Sequence, residues 1–309
     1  MLFFIYCFGD NMKIGIPRSI NYYQNKYMWK YFFEKLDIDI ILSPKTNKSI
    51  IDNGNNISND EMCLSLKNYL GHIHYLKDKC DYILIPRIDN YGRSDQTCTN
   101  FLSFYDIVNN LFNIKIINYD INYEKRKNEY KAYLSIGKQL HKSKKEIRDA
   151  YIYALVKSSK ELKKTYIEEL NKLNSCKLKV LLVGHDYNIE DDLVGKPIIQ
   201  YLKDMDCEVI KCNNLPSITT NSLSKQISET LYWKYNKENI GSIPFCKNKI
   251  DGIILLSSFP CGPDSIVNEL VVRRVNKPII NLIIDDLNAF SGIETRLESF
   301  IDILKQKIR

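Results

Sequence analysis

The chain has 309 residues, 44% hydrophobic and 26% charged, the make-up of a folded globular protein of about two domains. A disordered, collagenous or multi-pass membrane chain is excluded. Its 44 Lys and Arg exceed its 37 Asp and Glu by seven, too mild an excess to mark a nucleic-acid binder.

The first apolar run, residues 2–8, is too short to cross a bilayer, and no Lys or Arg precedes it as in an export signal. Residues 1–11 read as an unstructured leader, with the folded chain starting at Met12. The expected compartment is the cytoplasm, where thiols stay reduced. Its nine cysteines then suggest metal binding or catalysis for some and packing for the rest.

Beyond Met12, short apolar runs alternate with helical patterns, the signature of a parallel α/β protein. Residues 13–17 (KIGIP) predict a strand. Trp29, Phe32, Phe33 and Leu36 recur at helical spacing within a helix over 22–36. Strands follow at 38–43, 81–86 and 114–119, with helices from an Asp60 cap to about 79 and over 101–112. Residues 124–173 carry no strand signal and predict one or two long helices. Strands resume at 177–184, 207–211, 251–256 and 278–284, with helices over 195–203, 223–238, 264–274 and 293–308. The reading is two Rossmann-like domains with short parallel sheets, residues 12–120 and 176–309, joined by a helical connector over 121–175. No strong internal sequence repeat accompanies them.

Three cysteines share one context. Cys63 falls in the first turn of a predicted helix, Cys98 just before the helix at 101, and Cys261 just before the helix at 264. Each is then expected at the carboxyl end of a sheet, where ligands bind in such folds. Free N–H groups and the helix dipole there favour thiolate over thiol. Three thiolates brought together would bind a metal or an iron–sulfur cluster and leave one position open. No CxxC pair is present, so spacing alone carries no metal signature. The other six cysteines read as small packing residues or incidental. His72 lies about 13 Å along the helix from Cys63 and reads as a core or supporting residue rather than a ligand. Asp264 or Ser265 is expected to cap the helix after Cys261, and Gly262 to allow close backbone approach.

Residues 13–36 (KIGIPRSINYYQNKYMWKYFFEKL), 60–76 (DEMCLSLKNYLGHIHYL), 81–88 (DYILIPRI) and 259–274 (FPCGPDSIVNELVVRR) resemble the 2-hydroxyacyl-CoA dehydratase superfamily, nearest its activase-related branch. The resemblance runs over nearly the whole chain from Met12. It implies a 4Fe–4S cluster between α/β domains, with Cys63, Cys98 and Cys261 as its three ligands. It also implies a single electron passed to an acyl-CoA thioester for radical dehydration or reduction. An ATP-dependent activase would supply that electron, and relatives add a second dehydratase-type subunit. The alternative is a non-catalytic iron–sulfur electron-transfer or accessory module of an activase complex; a third reading is a structural zinc site or no metal. Cys98-Thr99-Asn100 stands where relatives carry Cys-Pro-Lys, and Leu64-Ser65 where Leu-Pro is common, so the substrate is not implied. No Walker A or GxGxxG pattern occurs, and the chain is not expected to hydrolyse ATP itself.

Four further residues are candidates for substrate contact. Arg18 and Arg87 follow strands, and their planar forks suit a carboxylate or a CoA phosphate as well as a structural ion pair. His185 and Asp186 follow the first strand of the second half and read either as substrate contacts or as loop caps. The basic runs 125–127 and 142–145 read as solvated helical faces, or as attraction for an anionic acyl-CoA or an acidic redox partner.

Overall fold

A computed structural model describes residues 12–285 and 291–308; the leader expected over 1–11 lies outside them. The first half runs β1 (Lys13–Ile16), α1 (Asn21–Lys35), β2 (Asp39–Leu42), α2 (Lys48–Ile57), α3 (Leu64–Leu76), β3 (Tyr82–Asn90), α4 (Thr99–Leu111) and β4 (Ile116–Asn122). Its four strands are all parallel, in the order β2-β1-β3-β4. Two helices follow, α5 (Glu129–Gln139) and α6 (Lys144–Lys172). The second half comprises β5 (Leu178–Gly184), α7 (Asp186–Ile189), α8 (Gly195–Asp204), β6 (Cys207–Lys211), α9 (Ser217–Leu223), α10 (Lys234–Cys246), β7 (Gly252–Ser258), α11 (Gly262–Arg274), β8 (Ile279–Ile284) and α12 (Ser291–Ile308). Its order is β6-β5-β7-β8, again all parallel. The two sheets repeat one winding although the sequences do not repeat.

The strands are apolar on both faces because helices cover both sides, as parallel sheets require. Successive residues alternate between two cores. Val180, Leu182, Ile254 and Leu256 meet α8 and α12, while Leu181, Val183, Ile253 and Leu255 meet α10 and α11. In the first half Trp29, Phe32 and Phe33 of α1 close on Ile14, Ile16 and the β3 residues Ile83–Ile85. Helix α6 starts with a capping box, Ser143 and Glu146 each bonding the other's backbone. It packs along α1, where Tyr31 donates to Glu161 at 3.1 Å, and it reaches β6.

Three helices depart from the sequence reading. Helix α2 is unpredicted, because its Asn and Gly residues are poor helix formers; it is held by the Asn47 cap and by packing on α3. Helix α3 begins at Leu64, with Cys63 rather than Asp60 at its N-cap. The helix expected over 223–238 is instead the end of α9, a short 3-10 turn, a connecting loop and the start of α10. Among the described residues no helix is long and apolar enough to cross a membrane.

Candidate metal centre

Four helices begin at one cavity between the two halves. The N-cap residues of α3, α4, α10 and α11 are Cys63, Cys98, Trp233 and Cys261, and all four line it. Its volume is about 70 Å³. In the repeated winding, α4 and α11 each follow the third strand, so Cys98 and Cys261 occupy equivalent places. Helices α3 and α10 each lead into the third strand, so Trp233 stands where the first half has Cys63. The three cysteines expected to meet do line one cavity.

Polar contacts lock the loops that carry them. Ser65 and Ser258 both donate to Asn188 Oδ1, at 2.9 and 2.8 Å, and all three residues are buried. Lys237 holds the loop before Cys98, with Nζ 2.7 Å from both Asp95 Oδ1 and the Ser94 carbonyl.

The electrostatics overturn one expectation. Burial raises the pKa of Cys63, Cys98 and Cys261, and this outweighs the N–H groups of Leu66, Asn100 and Asp264, which favour thiolate at each sulfur. The Asp264 carboxylate raises Cys261 further. Without a bound cation the three are therefore protonated thiols. Coordination to a metal centre would supply the missing charge and release the protons.

Asp264 is nearly buried, 5% exposed, in the first turn of α11. Its Oδ1 accepts from Asn236 at 2.7 Å and pairs with His185 Nε2 at 3.0 Å. Burial raises its pKa, but His185 and Asn236 together hold it below the ordinary carboxylate value. The expected cap is corrected here: Cys261 is the N-cap, and Ser265 donates to its carbonyl at 2.8 Å. A Cβ on Gly262 would meet open space, so close approach is not its role.

The other candidates fall elsewhere. Arg87 is bound to Asp106 at 2.5 Å and lies over the Tyr105 ring, the ion-pair alternative. Arg18 donates its backbone N–H to Ser43 and faces Tyr22. Neither arginine lines the cavity. His185 lines it, stacked on Tyr187 at 4.9 Å, while Asp186 faces a separate cleft. His72 is a core residue between Ser43 and Thr46, with its pKa lowered by burial to about 3. The sequence reading missed Trp233, Tyr235 and Asn236. Aligning the two windings would have found Trp233.

Among the described residues no three His, Cys, Asp or Glu side chains are grouped to hold a single metal ion. The donors that do share the cavity are three thiols in no disulfide. Soft thiolate ligands of this kind suit an iron–sulfur cluster, which is larger than one ion.

Two parallel α/β units of like winding, with cysteines at facing helix ends, define the class of this protein. The chain belongs to the family described as the CoA enzyme activase uncharacterised domain, whose model matches residues 13–215. That stretch includes Cys63 and Cys98 and ends before Cys261. No curated protein matches the chain. Among solved structures, a Cd-bound periplasmic metal binding protein from Candidatus Liberibacter asiaticus is 12% identical, with 95% of this chain and 99% of that one covered at a TM-score of 0.28. A sugar transporter from Clostridium phytofermentans is 10% identical, with 96% and 94% covered at a TM-score of 0.19. Superpositions this loose bear on nothing that follows.

Proposed function

We propose that the chain is a cytoplasmic iron–sulfur protein of the 2-hydroxyacyl-CoA dehydratase type, in which Cys63, Cys98 and Cys261 hold a 4Fe–4S cluster. The observation that carries this reading is the convergence of three free thiols, from three helix N-caps in both halves, on one cavity. When bound, the cluster supplies single electrons to an acyl-CoA thioester and is recharged by a separate ATP-dependent activase. A second dehydratase-type subunit belongs to the same reading.

The chain's own residues prepare the site. The three thiols give up their protons on coordination, and the N–H groups beside them offset the thiolate charge. Phe101, Tyr187 and Tyr235 line the cavity and limit water there. Trp233 offers no thiol at the fourth N-cap, which leaves that side for a ligand from outside the chain.

The test is metal analysis and EPR on anaerobically purified full-length protein. Iron and sulfide are expected at about four each per chain. The signal of the dithionite-reduced protein should vanish in Cys63→Ala, Cys98→Ala and Cys261→Ala and persist in Cys80→Ala, whose thiol bonds the Leu76 carbonyl. Zinc in place of iron, or a signal that survives all three substitutions, overturns the proposal. Calorimetry with a 2-hydroxyacyl-CoA then separates enzyme from accessory module: binding supports the first, and silence with an intact redox signal supports the second.

A further inference from the structure

The charge of the chain is not spread evenly. Residues 121–175 hold 14 Lys and Arg against 7 Asp and Glu, and the rest of the chain holds 30 of each. The whole net charge of +7 therefore belongs to α5, α6 and the turns beside them. With 29 residues, α6 is about 43 Å long. Its inner face, with Ile147, Ala150 and Ala154, is buried against α1 and α5.

The outer face is aliphatic and basic. Ile152, Val156, Lys163 and Ile167 fall in one line at helical spacing, with Leu155 and Leu162 beside it. The five aliphatic side chains are 41–56% exposed. Single exposed aliphatics are ordinary on a soluble protein, but a row along one helix marks a contact surface. Four of the five α6 carboxylates are engaged within the protein: Glu146 by the Ser143 backbone, Asp149 by Arg148, Glu161 by Tyr31 and Glu169 by Lys172. Among the described residues Lys145, Lys157, Lys160, Lys163 and Lys164 have no ion-pair partner. Lys157 and the neighbouring Lys35 of α1 both lie over the Tyr153 ring, at 5.5 and 5.7 Å.

Whatever covers this face must be apolar and anionic at once. A second copy of the chain would bring like charges together. Protein interfaces favour Arg and aromatic anchors and are depleted in Lys, the reverse of this composition. A nucleic-acid backbone would match the lysines but leave the aliphatic row without a partner. We propose that the outer face of α6 lies on an anionic lipid bilayer. The aliphatic row enters the boundary between headgroups and acyl chains, and the lysines reach to the lipid phosphates, as in other helices that lie in a membrane surface. The contact is peripheral and needs no spanning segment. It does not rest on the cluster, since α6 carries no cysteine.

The test is co-sedimentation of the full chain, with and without iron, with vesicles containing phosphatidylglycerol or with vesicles of phosphatidylcholine alone. Binding is expected to phosphatidylglycerol at low salt, and it should weaken as salt rises. Lys157→Gln, Lys160→Gln and Lys164→Gln combined should lose about fivefold in affinity per lysine. Ile152→Ser with Val156→Ser should lose at least about tenfold. The control triple Lys203→Gln, Lys305→Gln and Lys307→Gln removes the same charge from α8 and α12. Those helices cover the face of the second sheet opposite the core that Tyr166 and Leu170 of α6 join, and the control should stay within about twofold of wild type. Should the aliphatic pair fail to fold by circular dichroism, Val156→Ser decides that arm alone. No sedimentation with phosphatidylglycerol, equal sedimentation with phosphatidylcholine, equal losses in the two lysine triples, or unchanged affinity in the folded aliphatic variant overturns the proposal. Duplex DNA held as tightly as the anionic vesicles at the same salt overturns it too.

Discussion

The backbone N–H of Leu64 donates to the carbonyl of Phe259 at 2.9 Å, and the N–H of Lys234 donates to that of Gln96 at the same distance. Leu64 and Lys234 each follow an N-cap of the cavity, Cys63 and Trp233. Phe259 and Gln96 each precede Cys261 and Cys98 by two residues. The two halves are thus tied by one bond made twice in opposite directions. The helices behind these ties match as well. A Cβ on Gly71 of α3 would lie 2.0 Å from the Ile50 carbonyl of α2, and one on Gly241 of α10 would lie 1.7 Å from the Thr220 carbonyl of α9. Both glycines stand eight residues after their N-caps. Gly71→Ala and Gly241→Ala should each therefore force a helix pair apart and cost about 3 kcal/mol, measured as a lowered urea midpoint at unchanged slope. A loss under about 0.5 kcal/mol would show that the helices can separate freely.

Asn188 joins Ser65 of the first half to Ser258 of the second through one oxygen. The two hydroxyls also lie 2.9 Å apart, so in Asn188→Ala one can donate to the other and one buried hydroxyl is left without an acceptor. The expected destabilisation is about 2 kcal/mol. Replacing Ser65 and Ser258 by alanine in the same variant should recover part of it, since no orphaned donor then remains. Equilibrium unfolding of the wild type, Asn188→Ala and the triple variant checks this; no recovery in the triple variant would mean that Asn188 acts by packing alone.

His72 and Asp186 give the stability opposite pH dependences. His72 titrates near 3 in the fold, chiefly through burial, against about 6.5 unfolded. Its neutral form stabilises the fold above 6.5, and that contribution is lost as the pH falls from 6.5 towards 3. Asp186 is raised to about 7, again chiefly by burial, against about 3.9 unfolded. Its contribution is complete below 3.9 and is lost as the pH rises through 7. Each can add a slope of up to about 1.4 kcal/mol per pH unit. Between pH 4.5 and 6.5, His72→Gln should tilt the stability profile towards acid and Asp186→Asn towards base, both relative to wild type. Asp186→Asn should also be more stable than wild type at pH 8. Denaturant midpoints across this range decide it, and parallel profiles would refute both assignments.

The eight strands were legible because apolar runs such as residues 252–256 are buried on both faces, and burial on two faces needs no long-range information to be read. Helix α2 was not, since Asn47 and packing on α3, rather than its own propensities, hold it. The three cysteines stood out by their position after strands or before helices. Their protonation did not, because the cost of burial depends on what closes over each sulfur. Trp233 was hidden for a similar reason. It begins α10 only because the preceding loop is pinned to Gln96, a partner far away in sequence.

That position yields the last prediction. Trp233 takes the place in the second half that Cys63 takes in the first, and it lines the same cavity. If the three cysteines hold a cluster, Trp233→Cys adds a thiol at the one N-cap of the four that lacks it. A fully thiolate-ligated cluster has no position open to water or oxygen. The variant should therefore lose iron in air several-fold more slowly than the wild type, and its EPR line shape should change on reduction. Trp233→Ser is the control, because it removes the indole and its contact with Tyr232 without supplying sulfur; it should lose iron at least as fast as the wild type. Equal rates of loss in Trp233→Cys and Trp233→Ser, with both folded, would show that the open side of the cavity lies elsewhere.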